Sequence, residues 1–375
     1  MPARIVVFGA TGYTGRLTAE ALVARGVQPV LAGRSAARLS RLASELGRLE
    51  TAVADVARPD TVRGLVGRGD VLVATVGPFI RFGRPAVEAA VAAGAHYLDS
   101  TGEPAFIREV FESFGPAAER AGCGLVTAFG YDWVPGNLAG GLALREAGEA
   151  AVRVDTGYFF TGRTDSGGMS GGTRASTVAA IAAPAFAWRD GRIVTDRSGR
   201  RTRSFAVDGS QRPALSVGAS EHFGLPRIAP QLREVNAYLG WFGGMTRPMQ
   251  AMSLATYAAL ALPGARRLFD SVSGRLVTGS TGGPDADARS RSGSHIVAIA
   301  YDAGGHELAE VHLTGVNGYT FTGRILAWGA THVAEAGLRG TGALGPVDGF
   351  GLEELEAGCA EAGIARAASP RPVAA

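Results

Sequence analysis

The stretch GATGYTG, residues 9–15, follows the apolar run RIVVF at 4–8 and opens a segment patterned as a helix from Thr14 to Arg25. A glycine-rich turn between a first strand and a first helix bares backbone N–H groups at a helix N-terminus, an arrangement that receives a pyrophosphate. Gly9, Gly12 and Gly15 are spaced GxxGxxG rather than GxGxxG, so the turn alone is also compatible with a plain structural bend. Its place after the first strand of an alternating chain favours a nucleotide. Thr11 and Tyr13 lie in the same turn and join the three glycines as candidate cofactor contacts.

The alternation extends through the first third of the chain. PVLAG (29–33), TAVADV (51–56), VLVATVG (71–77), HYLDST (96–101) and GLVTAFG (124–130) are short strand-like runs separated by helical patterns, such as Ala36–Leu46 with leucines at 39, 42 and 46. Repeated strand–helix units imply a parallel sheet covered on both faces: an α/β, Rossmann-like NAD(P)-binding domain over residues 1–136. After Pro135 the rhythm changes. A helix at Gly136–Glu146, the strand VRVDTGYFF, a helix at Ser176–Trp188 and a polar loop at 278–293 precede two period-two strands, SHIVAIAYD and HELAEVHLTG, joined at Ala303-Gly304-Gly305. This predicts a second, α+β domain over 137–321 for substrate and dimerisation. Helices within 322–368 are expected to return to the first domain, followed by a flexible tail at 369–375.

Composition narrows the chemistry. The 375 residues exceed the usual single domain, and 46% apolar with 19% charged residues suits an ordinary folded chain, although 55 glycines are roughly twice the typical share. All 37 basic residues are arginine, which removes lysine Schiff bases and lysine general bases apart from the amino terminus. The formal charge is only +3, and the cluster Arg189, Arg192, Arg197, Arg200, Arg201 and Arg203 is expected to be the solvated face of an exposed hairpin, so no nucleic-acid partner is expected. Cys123 and Cys359 lie too far apart in sequence to suggest a zinc cluster or disulfide framework, which fits a reducing cytoplasm. No signal-type segment is expected, because strand-like IVVF runs straight into the glycine turn. The lipid-like run MQAMSLATYAALAL (249–262) is short for a membrane span and stops at Pro263. A buried or interface helix is the first expectation for it, with peripheral membrane association open.

The strand ends supply the candidate site. Gly33-Arg34-Ser35 stands where an NAD-preferring domain often carries an acidic residue; an arginine fork with a hydroxyl suits a 2′-phosphate, so NADP is the expected cofactor. Asp55 can meet the adenine amino group or begin a helix. Gly77 and Pro78 can bring backbone close to a nicotinamide, with Phe79 packing against the ring. Gly102, in Ser100-Thr101-Gly102-Glu103, closes the pocket, and Glu103 serves either that pocket or a helix start.

GATGYTGR (9–16), AGRS (32–35), VGPFIRFGRPAVEAAVAAGAHYLDSTGEPAF (76–106) and FGYDWVPGNLA (129–139) together resemble the saccharopine dehydrogenase-like oxidoreductases. GALGPVDGFG (342–351) is similar to the family's C-terminal segment, and SGGMSGGTRAS (166–176) resembles its trans-acting enoyl reductase branch, associated with actinobacterial polyketide and lipid pathways. The resemblance implies an NADP-dependent oxidoreductase acting on a small-molecule or carrier-bound acyl substrate, with a polyketide synthase or acyl carrier as partner. It leaves a saccharopine-type imine reaction open, and also a catalytically silent NADP-binding regulatory protein.

For an enoyl thioester, hydride reaches the β-carbon and a proton the α-carbon; for an imine, hydride reaches the iminium carbon and a carboxylate-binding arginine is expected. Tyr131 and Asp132, directly after the sixth strand, and His222 are the candidate catalytic residues, each with a structural alternative. Ser170, Thr173 and Arg174 sit in a glycine-rich stretch able to cradle an oxyanion or to cap a helix. His96, His295, His306, His312 and His332 have no ligand spacing, and no metal is expected.

Overall fold

The computed structural model describes residues 3–162, 184–260 and 282–367. The alternating first third supplies β1 (Ile5–Phe8), β2 (Val30–Gly33), β3 (Thr51–Val53), β4 (Val71–Ala74), β5 (His96–Asp99) and β6 (Gly124–Val126). Every residue of β1, β2 and β4 is buried, which is why their sequences are apolar without alternation. Val7 of β1 lies opposite Leu31 on one side and Val73 on the other, both in parallel register. The chain therefore leaves β1 first toward β2 and later toward β4. The crevice at the carboxyl ends of β1 and β4 is the topological switch point, where open α/β sheets take their ligands.

The second sheet begins with β7 (Arg153–Gly162), continues through β8 (Pro184–Arg189), β9 (Arg192–Arg197), β10 (Thr202–Val207), β11 (Ser210–Val217) and β12 (Glu234–Leu239), and is extended by β13 (Ser292–Tyr301) and β14 (Glu307–Val316). Its centre is β7, parallel to β12 and antiparallel to β13. Phe159, Phe205, Tyr238, Val297, Ile299 and Tyr301 form a separate apolar cluster, while helix Val134–Ala147 packs on β7, β13 and β14.

The last segment ties both sheets together. Helix Gly318–Ala336 packs along helix Tyr13–Ala24, β15 (Gly342–Ala343) pairs in parallel with β6, and β16 (Ile364–Arg366) pairs antiparallel with β14. Among the described residues the parallel sheet thus has the order β15–β6–β5–β4–β1–β2–β3.

Three expectations are corrected. Residues 184–188 belong to a strand rather than to the end of a helix, because Trp188 lies against Val235 at the edge of β12; the rest of that expected helix falls outside the described residues. The arginine cluster is not simply a solvated face: Arg201 donates to Glu234 at 2.7 Å, Arg203 pairs with Asp155, and Arg189 donates to the Val235 carbonyl at 2.9 Å. Helix Thr246–Leu260 is not a core helix: Thr246 and Ser253 are buried, but Met252, Leu254 and Tyr257 face solvent, which overturns the buried half of the buried-or-interface expectation.

Gly323 sets the approach of the returning helix, since a Cβ there would sit 2.8 Å from Leu17 Cβ and 3.0 Å from its backbone carbonyl carbon. Gly323→Val is expected to destabilise the fold by about 1–3 kcal/mol through overpacking, read as a lowered denaturant midpoint. An unchanged midpoint would overturn this helix contact.

Candidate functional site

The three glycines of the first turn do different work. Gly9 holds φ +92°, and a Cβ on it would lie 2.7 Å from Thr75 Oγ1; a Cβ on Gly15 would lie 2.2 Å from the Gly9 carbonyl oxygen. These two are demanded by the packing of the turn between β1, β4 and the first helix. Gly12 is different, since a Cβ would meet only the Gly9 carbonyl oxygen at 3.2 Å. It occupies the N-cap of helix Tyr13–Ala24, and no side chain caps that terminus. An uncapped helix N-terminus at the switch point is a ready anion site, and it fits the pyrophosphate of a dinucleotide. Thr11 borders the turn at intermediate exposure. The Tyr13 phenol is taken by the protein: it donates to the Pro284 carbonyl and accepts from Arg289 at 2.8 Å, so only its backbone remains with the turn.

At the end of β2, Arg34 is exposed, while Ser35 Oγ accepts the Arg38 N–H at 3.4 Å as the cap of the next helix. Arg34 is thus placed beyond the strand end, on the β2 side of the glycine turn. Asp55 follows β3, and its Oδ1 accepts the Ala57 N–H at 3.0 Å within the turn.

Past β4, Gly77 and Pro78 stay at the surface, but Phe79 turns inward against Phe106, with ring centroids 5.6 Å apart. Burial of an apolar ring wins over presentation at the crest, which corrects the expectation that Phe79 faces a nicotinamide. Glu103 explains how the crest is held: its Oε1 accepts the Phe79 N–H at 2.8 Å and its Oε2 the Ile80 N–H at 3.0 Å. Asp99 does the same between β5 and β6, accepting from Thr101 and Ala128 N–H groups at 2.8 and 2.9 Å and from the Thr127 hydroxyl at 2.7 Å. Burial pushes its carboxyl up to about 6 despite these donors.

Beyond β6 the chain crosses toward the second sheet. Tyr131 is buried and its hydroxyl donates to the Phe159 carbonyl at 3.3 Å; burial raises it well above the ordinary phenol range. It stacks on Phe160 at 5.7 Å, and Phe160 stacks on Trp241 at 4.9 Å. Asp132 points at the neighbouring crest, where a Cβ on Gly102 would lie 2.9 Å from its Oδ2. Its Oδ1 has no hydrogen-bond partner among the described residues, and burial pushes the carboxyl up to about 7.

His222 does not join this group as an exposed acid. It is buried edge-on to Phe186, Nδ1 lies 2.9 Å from the Ala219 carbonyl oxygen, and burial holds the imidazole down to about 4, so it is neutral near pH 7. The residue beside it was missed. Glu221 is fully buried, with Oε1 2.6 Å from Tyr158 Oη and Oε2 unpartnered among the described residues. Desolvation pushes it up to about 8, helped by the charge of Asp132. Nothing in the local sequence marks Glu221, because its partners Thr156 and Tyr158 lie 65 and 63 positions away. Residues 166–176, with Ser170, Thr173 and Arg174, lie outside the described residues. No cluster of three or more His, Cys, Asp or Glu among the described residues could hold a metal, and no described helix is long and apolar enough to cross a membrane.

Sheet order, switch point and uncapped glycine turn define a dinucleotide-binding α/β domain joined to a second sheet. Residues 5–126 match the family model described as the saccharopine dehydrogenase NADP binding domain. NADP agrees with the choice made from Arg34. A protein of Mycobacterium tuberculosis named "putative trans-acting enoyl reductase" is 39% identical over 178 residues, covering 46% of this chain and 42% of that protein. One from Mycobacterium leprae named "trans-acting enoyl reductase" is 39% identical over 140 residues, covering 36% and 34%. The matched segments span less than half the length of these relatives. The fold is also that of apo saccharopine dehydrogenase (L-Glu forming) from Saccharomyces cerevisiae: TM-score 0.57, 14% identity, 95% of this chain and 96% of that one.

Two outcomes follow from the turn and from β2. Gly12→Val is expected to weaken NADPH binding by at least about tenfold, or 1.4 kcal/mol, with an unchanged melting temperature, whereas Gly15→Val unfolds the turn. Equal NADPH affinity in Gly12→Val would remove the turn from the site. Arg34→Ala is expected to cost NADPH on the order of tenfold through loss of a charge-assisted contact while sparing NADH, measured by cofactor fluorescence titration. A parallel loss for both cofactors would remove its phosphate role.

Proposed function

We propose that the chain is an NADP-dependent reductase of a carbon–carbon double bond conjugated to a thioester, acting in trans on a carrier-bound or coenzyme A-bound acyl chain. The observation that carries this reading is the aromatic ladder beside Asp132, running from Tyr131 through Phe160 to Trp241. Such a wall suits an acyl chain, whereas an amino-dicarboxylate needs converging cations. The names of the curated relatives support the same choice.

Bound NADPH supplies the hydride for the β-carbon. The glycine turn and Arg34 would hold its phosphates, with residues 1–136 as the cofactor unit and 137–321 as the substrate unit. Gly77, Pro78 and Gly102 would line the crest beside the cofactor's flat ring. Asp132, as a carboxylic acid, gives its proton to the α-carbon of the enolate, so that hydride and proton together saturate the double bond. Tyr131 serves as wall rather than acid, since its hydroxyl is engaged by Phe159. The acyl donor we propose is a polyketide synthase or its acyl carrier, and the exposed apolar side of helix Thr246–Leu260 supports contact with such a partner or with a lipid surface.

Purified protein with NADPH is expected to oxidise the cofactor in the presence of medium-chain enoyl thioesters and to ignore 2-oxo acid and amine pairs. Turnover confined to the imine-forming pair would replace this reading with a saccharopine-type reaction. NADPH binding without turnover of any acyl or imine substrate would leave a binding protein.

A further inference from the structure

Helix Thr246–Leu260 is built inside out. Its buried residues, Thr246 and Ser253, are 2% and 1% exposed, and both are polar. Their hydroxyls are spent on the protein: Thr246 donates to the Gly243 carbonyl at 2.7 Å, and Ser253 donates to the Ser198 carbonyl. Gln250 donates to the Arg200 carbonyl at 3.3 Å, and Thr256 is half-buried. Steps of four, three and three residues put these four positions on one stripe of the helix, the stripe laid on β9, β10 and β11. The opposite stripe carries Ala251, Met252, Leu254, Ala255 and Ala258, all exposed. An ordinary surface helix is arranged the other way round. Apolar side chains left to water over a whole helix face call for an apolar occupant.

Charge and hydrogen bonding select that occupant. From Pro248 to Ala259 the outward stripe has no side chain that can donate or accept a hydrogen bond; Tyr257 stands at its edge, 49% exposed. Protein interfaces carry about one hydrogen bond per 100–200 Å². Hydrocarbon needs none. Arg247, in the first turn, is exposed and makes no ion pair among the described residues, whereas Arg200 nearby is answered by Asp196 at 3.2 Å. A cation at a helix N-terminus is opposed by the helix dipole, so helix stability does not account for Arg247. The sequence holds no acid between Glu234 and Asp270. A second copy meeting this face across a two-fold axis presents the same acid-free stretch and brings Arg247 no partner. Anionic head groups do. The 15 residues of the helix extend about 22 Å at 1.5 Å each, short of a hydrocarbon core of about 30 Å, so the helix suits the plane of a surface rather than a crossing.

We infer that helix Thr246–Leu260 docks the chain on an anionic lipid surface, with Met252 and Leu254 in the acyl layer and Arg247 among the head groups. Trp241, the last ring of the aromatic ladder, is joined to this helix by Phe242 and the turn Gly243–Met245, where Met245 is 58% exposed. The acyl wall and the lipid-facing helix are therefore consecutive in the chain, which makes a lipid-borne acyl chain the substrate class of the proposed reductase. That last step rests on the proposed function. The docking does not.

Flotation of the full chain with vesicles, in the absence of cofactor and substrate, tests the docking. Wild type is expected to float with vesicles of phosphatidylcholine and phosphatidylglycerol, to float less with phosphatidylcholine alone, and to be released from the mixed vesicles by salt. The double variant Met252→Asp, Leu254→Glu is expected to lose at least about tenfold in partitioning, through two lost apolar contacts. Arg247→Gln is expected to lose about fivefold on the mixed vesicles and little on the neutral ones. These side chains are exposed, so both variants should keep the wild-type melting temperature and NADPH affinity. Leu308→Glu, at an exposed apolar position on β14, should float as wild type does. Equal flotation of wild type and the double variant, or no flotation of wild type with the mixed vesicles, would overturn the inference. A wild-type dimer that the double variant dissociates, without flotation, would give the face to a second copy. If the double variant melts early, Arg247→Gln decides alone, and its equal flotation with the mixed vesicles counts against the docking. A chain that floats but reduces no enoyl thioester keeps the docking and loses the reductase reading; one that reduces soluble enoyl thioesters and does not float does the reverse.

Discussion

A helix cannot start as close to a strand end as this one does unless the residues at the contact lack side chains. With a Cβ on Gly15 lying 2.2 Å from the Gly9 carbonyl oxygen, any larger residue there forces helix Tyr13–Ala24 off β1. Much else depends on that contact. The uncapped N-terminus is aimed across the switch point because the helix begins there, and Thr75, which donates to the Phe8 carbonyl at 3.1 Å, brings the β4 crest against the same turn. The returning helix Gly318–Ala336 uses the first helix as its platform, so the placement of Tyr131 is also inherited: its N–H donates to Thr322 Oγ1 at 3.0 Å. A packing constraint at two glycines thereby reaches from the cofactor turn to the entrance of the second sheet.

The parts of the fold legible in the sequence are those whose signal is local. IVVF, VLAG and VLVA are apolar runs because their strands are buried on both faces, and the leucines at 39 and 42 mark the buried stripe of a short helix. The end of β2 at Gly33 was readable for the same reason, with Arg34 exposed just beyond it. What escaped depends on partners far along the chain. β15 has only two residues, Gly342 and Ala343, and is a strand because β6 offers it an edge. Phe79 was expected at the crest, but the ring that draws it inward is Phe106, on another helix. His222 was chosen for its imidazole, while the more unusual group is Glu221, raised by burial and bonded to Tyr158, 63 positions earlier in the chain. Isolated propensity says nothing about such pairs.

Burial is used in two opposed ways around the crest. At Glu103 and Asp99 it surrounds carboxylates with backbone N–H donors, and the carboxylates act as braces for the loops after β4, β5 and β6. At Asp132 and Glu221 it withholds donors, and each keeps an unpartnered oxygen. All four carboxyl groups are raised by desolvation, so the folded chain retains protons that an unfolded one loses above the usual carboxylate range. Their contribution to stability is fully present at low pH and disappears as pH rises through about 6, 7 and 8 for Asp99, Asp132 and Glu221. Keeping Asp132 and Glu221 therefore costs the fold stability at neutral pH, a cost that apolar residues of similar size would avoid.

That cost falls at the junction of the two sheets. Asp132 lies beside Gly102 of the loop after β5 and directly follows Tyr131, the first ring of the Tyr131–Phe160–Trp241 ladder; under the reading proposed above, a substrate there would present an apolar chain to the rings and a reducible group to the crest. A wall of rings lowers the local polarity, and low polarity is what keeps a carboxyl protonated without a dedicated cation or metal. Under the reading proposed above, the aromatic residues that would suit an acyl chain also raise the proton affinity of Asp132, so shape and proton affinity at this junction would not be altered separately.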